Sequence, residues 1–276
     1  GQQPPAPVPG AAPAGAVLGV GTYIHLVSDV NNSLAFYGEL LGVDPNATAR
    51  GPVGPRVFAP NEVVSNLYGT PGSLFRGGTV RIAGTELGGA ELVDWQTADR
   101  KRVQTRLQDP GAATLMLTVR DVDVATTAFT KNGASIVTPG GKPVAVPTGG
   151  GGSVKSRVLL GQDPDGFLIQ VVQLDPAPET TAVATGNVIG ARLRVTVADL
   201  DQAMKLYREV LGFAFEAATP FAESEASAIA GLKGAQSRTA VALVPGTAFS
   251  VTFVEFKGVD RKPLGADVHG VGSSVL

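Results

Sequence analysis

Arg192 and Arg194 stand two residues apart in an apolar stretch, with Thr196 next in the same phase. On a strand, residues two apart share a face, so two guanidinium groups would project side by side. Planar donor forks of that kind suit a carboxylate or a phosphate. The alternative is an ion pair with Glu255 or Asp260 at the rim of a sheet. Other reactive side chains are few. The 276 residues include no cysteine, which removes disulfides, thiolate zinc sites and Cys nucleophiles together. His25 sits in a short apolar segment near Ser28, but no Gly-x-Ser-x-Gly elbow accompanies them, so a Ser-His-Asp triad is not supported. His269 lies in Asp267-Val-His-Gly270, a linker in which a histidine is expected to be exposed. Gly149 to Gly152 follows Pro143-Val-Ala-Val-Pro147 with no Gly-Lys-Ser/Thr and no helix start. It predicts a hairpin loop or flexible lid rather than a phosphate cradle.

The elements that must position these residues are written more than once. Asp29-Val-Asn-Asn-Ser-Leu-Ala-Phe-Tyr-Gly-Glu-Leu-Leu-Gly42 returns as Asp199-Leu-Asp-Gln-Ala-Met-Lys-Leu-Tyr-Arg-Glu-Val-Leu-Gly212, and Val93-Asp-Trp-Gln-Thr-Ala-Asp-Arg-Lys101 as Val254-Glu-Phe-Lys-Gly-Val-Asp-Arg-Lys262. Internal repetition of this kind decides the architecture before any site is considered. In each long copy a short apolar segment, Tyr23 to Val27 or Leu193 to Val197, runs into an Asp able to cap a helix. Leu34, Tyr37 and Leu41, like Met204, Tyr207 and Leu211, then recur at helical spacing, and Gly42 or Gly212 stops the helix. A weaker third copy leads from Leu115 to Val119 into Asp121-Val-Asp-Val-Ala-Thr-Thr-Ala-Phe-Thr-Lys-Asn-Gly133. Alternating apolar stretches bounded by Gly and Pro follow each helix and read as a β-meander. The modules are therefore βαβββ and the fold class α+β.

This order of elements, with the Phe36-Tyr37 and Leu206-Tyr207 pairs and Asp163-Pro-Asp-Gly166 before a last strand, resembles the vicinal oxygen chelate superfamily of glyoxalases, bleomycin-resistance proteins and extradiol dioxygenases. The resemblance covers nearly everything from about Gly19 onward. It implies tandem modules pairing into curved, mostly antiparallel sheets flanked by helices, each pair enclosing a cavity. A Pro-rich arm (1–16) is then followed by a first domain (17–176) holding modules one and two. A linker (177–187) leads to a second domain (188–276) with module three and only the start of module four. Gly272-Ser-Ser-Val-Leu276 matches Gly111-Ala-Ala-Thr-Leu115 at the opening strand of module two, which predicts either a cut chain or residues beyond Leu276.

In enzymes of that superfamily the metal ligands lie on the first strand of each module and in an Ile-Glu-Leu-like stretch of the last. The matching positions are Thr22, Thr114 and Arg192 on first strands, Val275 in the incomplete module, and Glu91, Gln170 and Thr252 on last strands. Only Glu91 is a typical ligand. The resemblance implies a first cavity offering Thr22, Glu91, Thr114 and Gln170, and a second lined by Arg192, Arg194 and Thr252. A catalytic divalent ion needs three or four converging donors, so the metal site reads as degenerate. Glu91 is its sole metal candidate, a hard ion completed by water is the alternative, and no bound metal is expected. The quartet otherwise holds a small polar molecule or hydrogen-bonds within itself. His25 is two residues before Val27 where the ligand position is five, so it falls on the opposite face, half-buried and hydrogen-bonded beneath the covering helix. Asp94 and Glu255 fall on that face too, as surface ion-pair partners rather than acid–base catalysts. The stretch from Gly51 to Arg76 carries Phe58, Leu67, Tyr68 and Phe75, which either wall a pocket or make a subunit contact.

With 43% hydrophobic residues, 17% charged and a net charge of −2, nothing suggests a nucleic-acid surface or a disordered chain. No apolar run is long enough to span a membrane. The start, Gly1-Gln-Gln-Pro-Pro-Ala-Pro-Val-Pro-Gly-Ala-Ala-Pro-Ala-Gly15, lacks a basic n-region and an apolar h-region and reads as a mature end left by signal-peptide cleavage. A secreted, periplasmic or cell-surface location of bacterial type is therefore expected. The function expected is binding of a small molecule by a non-catalytic or catalytically altered protein. One alternative is a metal-dependent lyase or dioxygenase-type enzyme. The other is a structural subunit of an extracellular assembly, forming a homo-oligomer or filament through the Pro-rich arm or the final strand.

Overall fold

The computed structural model of the chain describes residues 17, 19–48, 51–52, 56–82, 85, 87–96, 100–147, 155–180, 186–265, 270–272 and 274–275. The Pro-rich arm, the Gly149 to Gly152 loop and His269 lie outside the described residues. Module one runs β1 (Thr22–Val27), α1 (Val30–Leu41), the short strands β2 (Ala47–Thr48), β3 (Gly51–Pro52) and β4 (Ala59–Pro60), α2 (Glu62–Leu67), β5 (Leu74–Arg81) and β6 (Gly89–Gln96). Module two runs β7 (Ala113–Val119), α3 (Val122–Ala128), β8 (Ser135–Ile136), β9 (Val144–Pro147), β10 (Lys155–Gln162) and β11 (Leu168–Asp175). Module three runs β12 (Val188–Thr196), α4 (Leu200–Leu211), β13 (Ala214–Phe215), β14 (Ala222–Glu223), α5 (Ala226–Ala230), β15 (Gln236–Leu243) and β16 (Ser250–Lys257), and β17 (Ser274–Val275) follows.

The repeated residues shape the helix ends as their types require. The Asp29 carboxylate accepts the Asn31 N–H at 2.8 Å and Asp199 accepts the Gln202 N–H at 3.0 Å, each satisfying an N–H that the first helical turn leaves unpaired. Gly42 and Gly212 end their helices at φ of 68° and 72°, a left-handed conformation that costs an L side chain energy. Asp121 caps α3 in the same way, but that helix closes at Ala128, short of Gly133.

The strands form a five-stranded sheet in the order β17-β1-β6-β5-β4 and a ten-stranded one whose main path is β13-β15-β16-β12-β7-β11-β10-β8. Within a module the first strand runs parallel to the last, placing Ile24 beside Glu91, Met116 beside Gln170 and Arg194 beside Thr252. Between modules the pairing departs from expectation. β7 lies antiparallel to β12, with Thr114 opposite Arg194, so module two shares its sheet with module three. β1 instead pairs antiparallel with β17. Among the described residues modules one and two share no sheet, and the ten-stranded sheet holds strands from both sides of the expected linker at 177–187. The opening strands carry the same apolar pattern, and any two of them satisfy one another's backbone groups. Modules one and two meet through their helix layers, where the Phe36 ring meets Phe129 edge to face at 5.4 Å. The larger apolar core runs from Tyr23, Phe36 and Leu92 through Leu115 and Phe129 to Leu193 and Phe253. Burying each such side chain stabilises the fold by about 1.5–3 kcal/mol. No helix among the described residues is long and apolar enough to cross a membrane.

Candidate functional site

Strand alternation gives each sheet a helix-covered face and a concave face. In module one the concave face presents Ile24 and Leu26 from β1, Glu91, Val93 and Trp95 from β6, and Phe75 and Gly77 from β5. With Asn61, Val64, Tyr68 and the edge of Arg76 they bound a hollow of about 360 Å3. α2 and the residue after it close one end, where Tyr68 packs edge-on to Trp95 at 5.2 Å and Phe75 approaches the same indole at 4.9 Å. The long Gly51 to Arg76 stretch therefore supplies a pocket wall. At the other end Glu91 is exposed and makes no hydrogen bond or ion pair among the described residues. Arg76 turns its guanidinium to the opposite face, where Nε and Nη2 donate to the Asp94 carboxylate at 2.8 and 2.7 Å and the cation lies 4.6 Å from the Phe58 ring centre. Glu91 is thus the single charged side chain directed into the hollow among the described residues.

The expected quartet is not one site. Thr22 lies across the strand from Gly89, away from Glu91, and borders a separate apolar space of about 410 Å3 lined by Val20, Tyr207, Phe213 and Phe253. Thr114 and Gln170 belong to the ten-stranded sheet, where they converge with Arg194 and Thr252. Thr114, Gln170 and Arg194 are buried there. The Arg194 guanidinium donates from Nη1 to the Gln170 amide oxygen at 2.8 Å and from Nη2 to the Glu225 carboxylate at 2.6 Å. Arg192 sits further along the strand and is exposed. Neither arginine takes the partners proposed from sequence. Glu255 accepts Arg238 at 2.7 Å and the Leu200 N–H at 3.0 Å, and Asp260 accepts Arg106 at 2.9 Å. Asp94 and Glu255 do share the helix-covered face and bind arginines, but both are buried rather than on the surface, since the helix they face also covers them.

The concave face of the ten-stranded sheet is filled. Ala226 and Ile229 of α5 pack into an apolar cluster with Leu107, Leu160, Leu168, Val254 and Phe256. Glu225, immediately before them, was not legible as a site residue; the only signal was that a buried arginine must find an anion.

His25 faces the helix layer as its spacing predicts, but it is fully buried, not half-buried. Its Nε2 donates to Asp163 Oδ2 at 2.7 Å, and the Tyr37 hydroxyl donates to the same oxygen at 3.0 Å. Asp163 Oδ1 accepts the N–H groups of Asp165 and Phe167, each at 2.9 Å. Burial alone would raise the Asp163 pKa, but the charge and hydrogen bond of His25, with the Phe167 N–H and Tyr37, outweigh it and hold the carboxyl below its usual range. Burial, then the Asp163 charge, keeps the Tyr37 phenol well above its ordinary value. Asp165 accepts hydrogen bonds from the Ser28 N–H at 3.1 Å and the Ser33 hydroxyl at 3.0 Å. The Asp163-Pro-Asp-Gly166 turn of module two therefore fastens β1 and α1 of module one.

Neither concave face fits a divalent ion. In the ten-stranded sheet the Gln170 and Glu225 oxygens already accept from a guanidinium whose fixed charge repels a cation. In the five-stranded sheet one carboxylate stands among aliphatic and aromatic side chains. No group of three or more His, Asp or Glu among the described residues is placed to hold a metal ion.

The family model for the Glyoxalase/Bleomycin resistance protein/Dioxygenase superfamily matches residues 19–171 and 190–276. No curated protein matches the sequence. Among solved structures, the V278E mutant of glyoxalase I from Zea mays has 16% identity and a TM-score of 0.52, with 88% of this chain and 68% of that one covered. Glyoxalase I from Zea mays has 14% identity and a TM-score of 0.51 over the same shares. A glyoxalase family protein from Bacillus cereus has 17% identity and a TM-score of 0.46, covering 59% of this chain and 99% of that one. At these identities the two maize structures speak to the fold alone.

Proposed function

The chain belongs to the Glyoxalase/Bleomycin resistance protein/Dioxygenase superfamily, and we propose that this member binds a small organic molecule in the hollow of the five-stranded sheet, without metal chemistry. The observation that carries the reading is the graded lining of that hollow, with Trp95, Tyr68 and Phe75 at one end, Leu26 and Val93 between, and Glu91 at the other. Four residue steps of strand carry the chain from Glu91 to Trp95, roughly 13 Å. The ligand that fits is elongated, with an aromatic or apolar body against Trp95 and a cationic end at Glu91. Apolar burial supplies the affinity and the charge sets the orientation.

The chain has a single tryptophan, and it lies in this hollow, so its fluorescence reports the site directly. Titration with 4-phenylbutylamine is expected to change Trp95 emission saturably, with the isosteric 4-phenylbutanol binding more weakly. Because Glu91 is exposed, Glu91→Gln should weaken the amine by about fivefold, the upper end for a solvent-screened pair, and leave the alcohol unchanged. No saturable response to either probe would end the binding reading; equal responses would remove only the charge preference.

Elemental mass spectrometry of the purified protein is expected to find no stoichiometric divalent metal, before or after incubation with zinc, manganese or magnesium. One equivalent that disappears in Glu91→Ala would overturn the metal-independent reading.

A further inference from the structure

We propose that the concave face of the ten-stranded sheet is a second binding site, for a small carboxylate bearing a branched apolar group, and that the chain's own Glu225–Ile229 segment occupies it as an internal ligand. Arg194 is a buried permanent cation, and its neighbours on the sheet, Thr114, Gln170 and Thr252, are neutral. The anion that answers it comes from outside the sheet, on the segment leading into α5. Glu225 Oε1 takes the Nη2 donor and Gln170 takes Nη1. The buried Nε of Arg194 has no hydrogen-bond partner among the described residues. A guanidinium presents Nε and Nη2 as a fork matched to both oxygens of one carboxylate, and Glu225 fills only half of that fork. A free carboxylate can fill both.

The apolar part of the ligand is also displayed by the chain. Ile229 is fully buried among Leu160, Leu168, Val254 and Phe256, so a branched aliphatic group tethered to the carboxylate matches the space. The segment is built to leave. The Glu225 side chain is 35% exposed against 9% for Arg194, so water reaches the anion while the cation stays covered. α5 has five residues, with the Ser224 hydroxyl accepting the Ala226 N–H at 3.2 Å at its start, and is too short to persist without packing. Gly231 and Gly234, at φ of 68° and 76°, follow it. The corresponding helix of module one, α2, borders its hollow through Val64 and leaves it open.

A tethered competitor lowers the apparent affinity of an added ligand by the fraction of time the site is open. Calorimetric titration with 3-methylbutanoate is therefore expected to show weak binding to the wild type and about tenfold tighter binding to Glu225→Ala, for a site open roughly one-tenth of the time. The isosteric 3-methylbutanol should bind neither. Arg194→Met in the Glu225→Ala background should abolish the carboxylate preference. 3-Methylbutanoate, unlike equal chloride, should also restore part of the thermal midpoint that Glu225→Ala loses. Equal affinity of wild type and Glu225→Ala, or carboxylate binding that survives without Arg194, would overturn the proposal. Should Glu225→Ala not fold, hydrogen exchange across residues 224–232 of the wild type decides it. Faster exchange with 3-methylbutanoate than with chloride supports displacement; identical exchange refutes it.

Discussion

Asp163→Asn is expected to destabilise the protein by about 3–5 kcal/mol, the cost of breaking a buried charge pair from one side. Asp163 is buried, and both its oxygens accept two hydrogen bonds, from His25 and Tyr37 on one and from the Asp165 and Phe167 N–H groups on the other. An amide offers one acceptor oxygen, and its NH2 group must then face donors. The loss falls where module two grips β1 and α1 of module one, so it should appear in global urea unfolding. The pH dependence has a definite sign. The Asp163 pKa is depressed in the folded protein relative to about 3.9 in an unfolded chain. Its contribution is complete above that unfolded value and is lost as pH falls through the folded one. The gap in stability between wild type and Asp163→Asn should therefore narrow in acid, below about pH 4. A gap that stays the same down to the acid limit of folding would mean that Asp163 acts by shape rather than by charge.

The same knot shows what the sequence could and could not disclose. His25 was legible as a helix-facing, hydrogen-bonded residue because strand parity needs only local counting. Its partner was not, since Asp163 lies 138 positions away and Asp163-Pro-Asp-Gly166 reads locally as a turn before a strand. The modules were legible for a similar reason: Asp29, Asp199, Gly42 and Gly212 fix helix ends by chemistry within a few residues. Strand partnership was not, because β1, β7 and β12 present the same apolar alternation, and the choice among them is made by helix packing and connection geometry. The candidate site inherited that gap. Thr22, Glu91, Thr114 and Gln170 each fall on the strand that local counting assigns, yet the quartet divides between two sheets once β7 pairs with β12. Glu225 lies in an irregular stretch with no periodic signal and is found only by following Arg194.

Phe36→Ala is expected to cost about 3–5 kcal/mol, while Leu206→Ala, at the equivalent position of the repeat, should change stability by no more than about 0.5 kcal/mol. The two residues occupy the same turn of helices with nearly the same caps, so the contrast isolates what covers each helix. Phe36 is fully buried against Phe129, and Leu40 is buried beside it. Their counterparts Leu206 and Val210 are 56% and 65% exposed, because no helix lies against the outer stripe of α4 among the described residues. Removing Phe36 leaves a cavity in a packed layer and forfeits apolar burial; removing Leu206 exchanges one solvated side chain for another. Thermal or urea unfolding of the matched pair measures this directly. Should Leu206→Ala cost more than about 2 kcal/mol, as a buried leucine does, the α4 stripe is covered in solution. Repeating the measurement at high dilution would then separate the sources of that cover. A cost that vanishes on dilution identifies a second copy of the chain, and one that persists identifies packing within a single molecule.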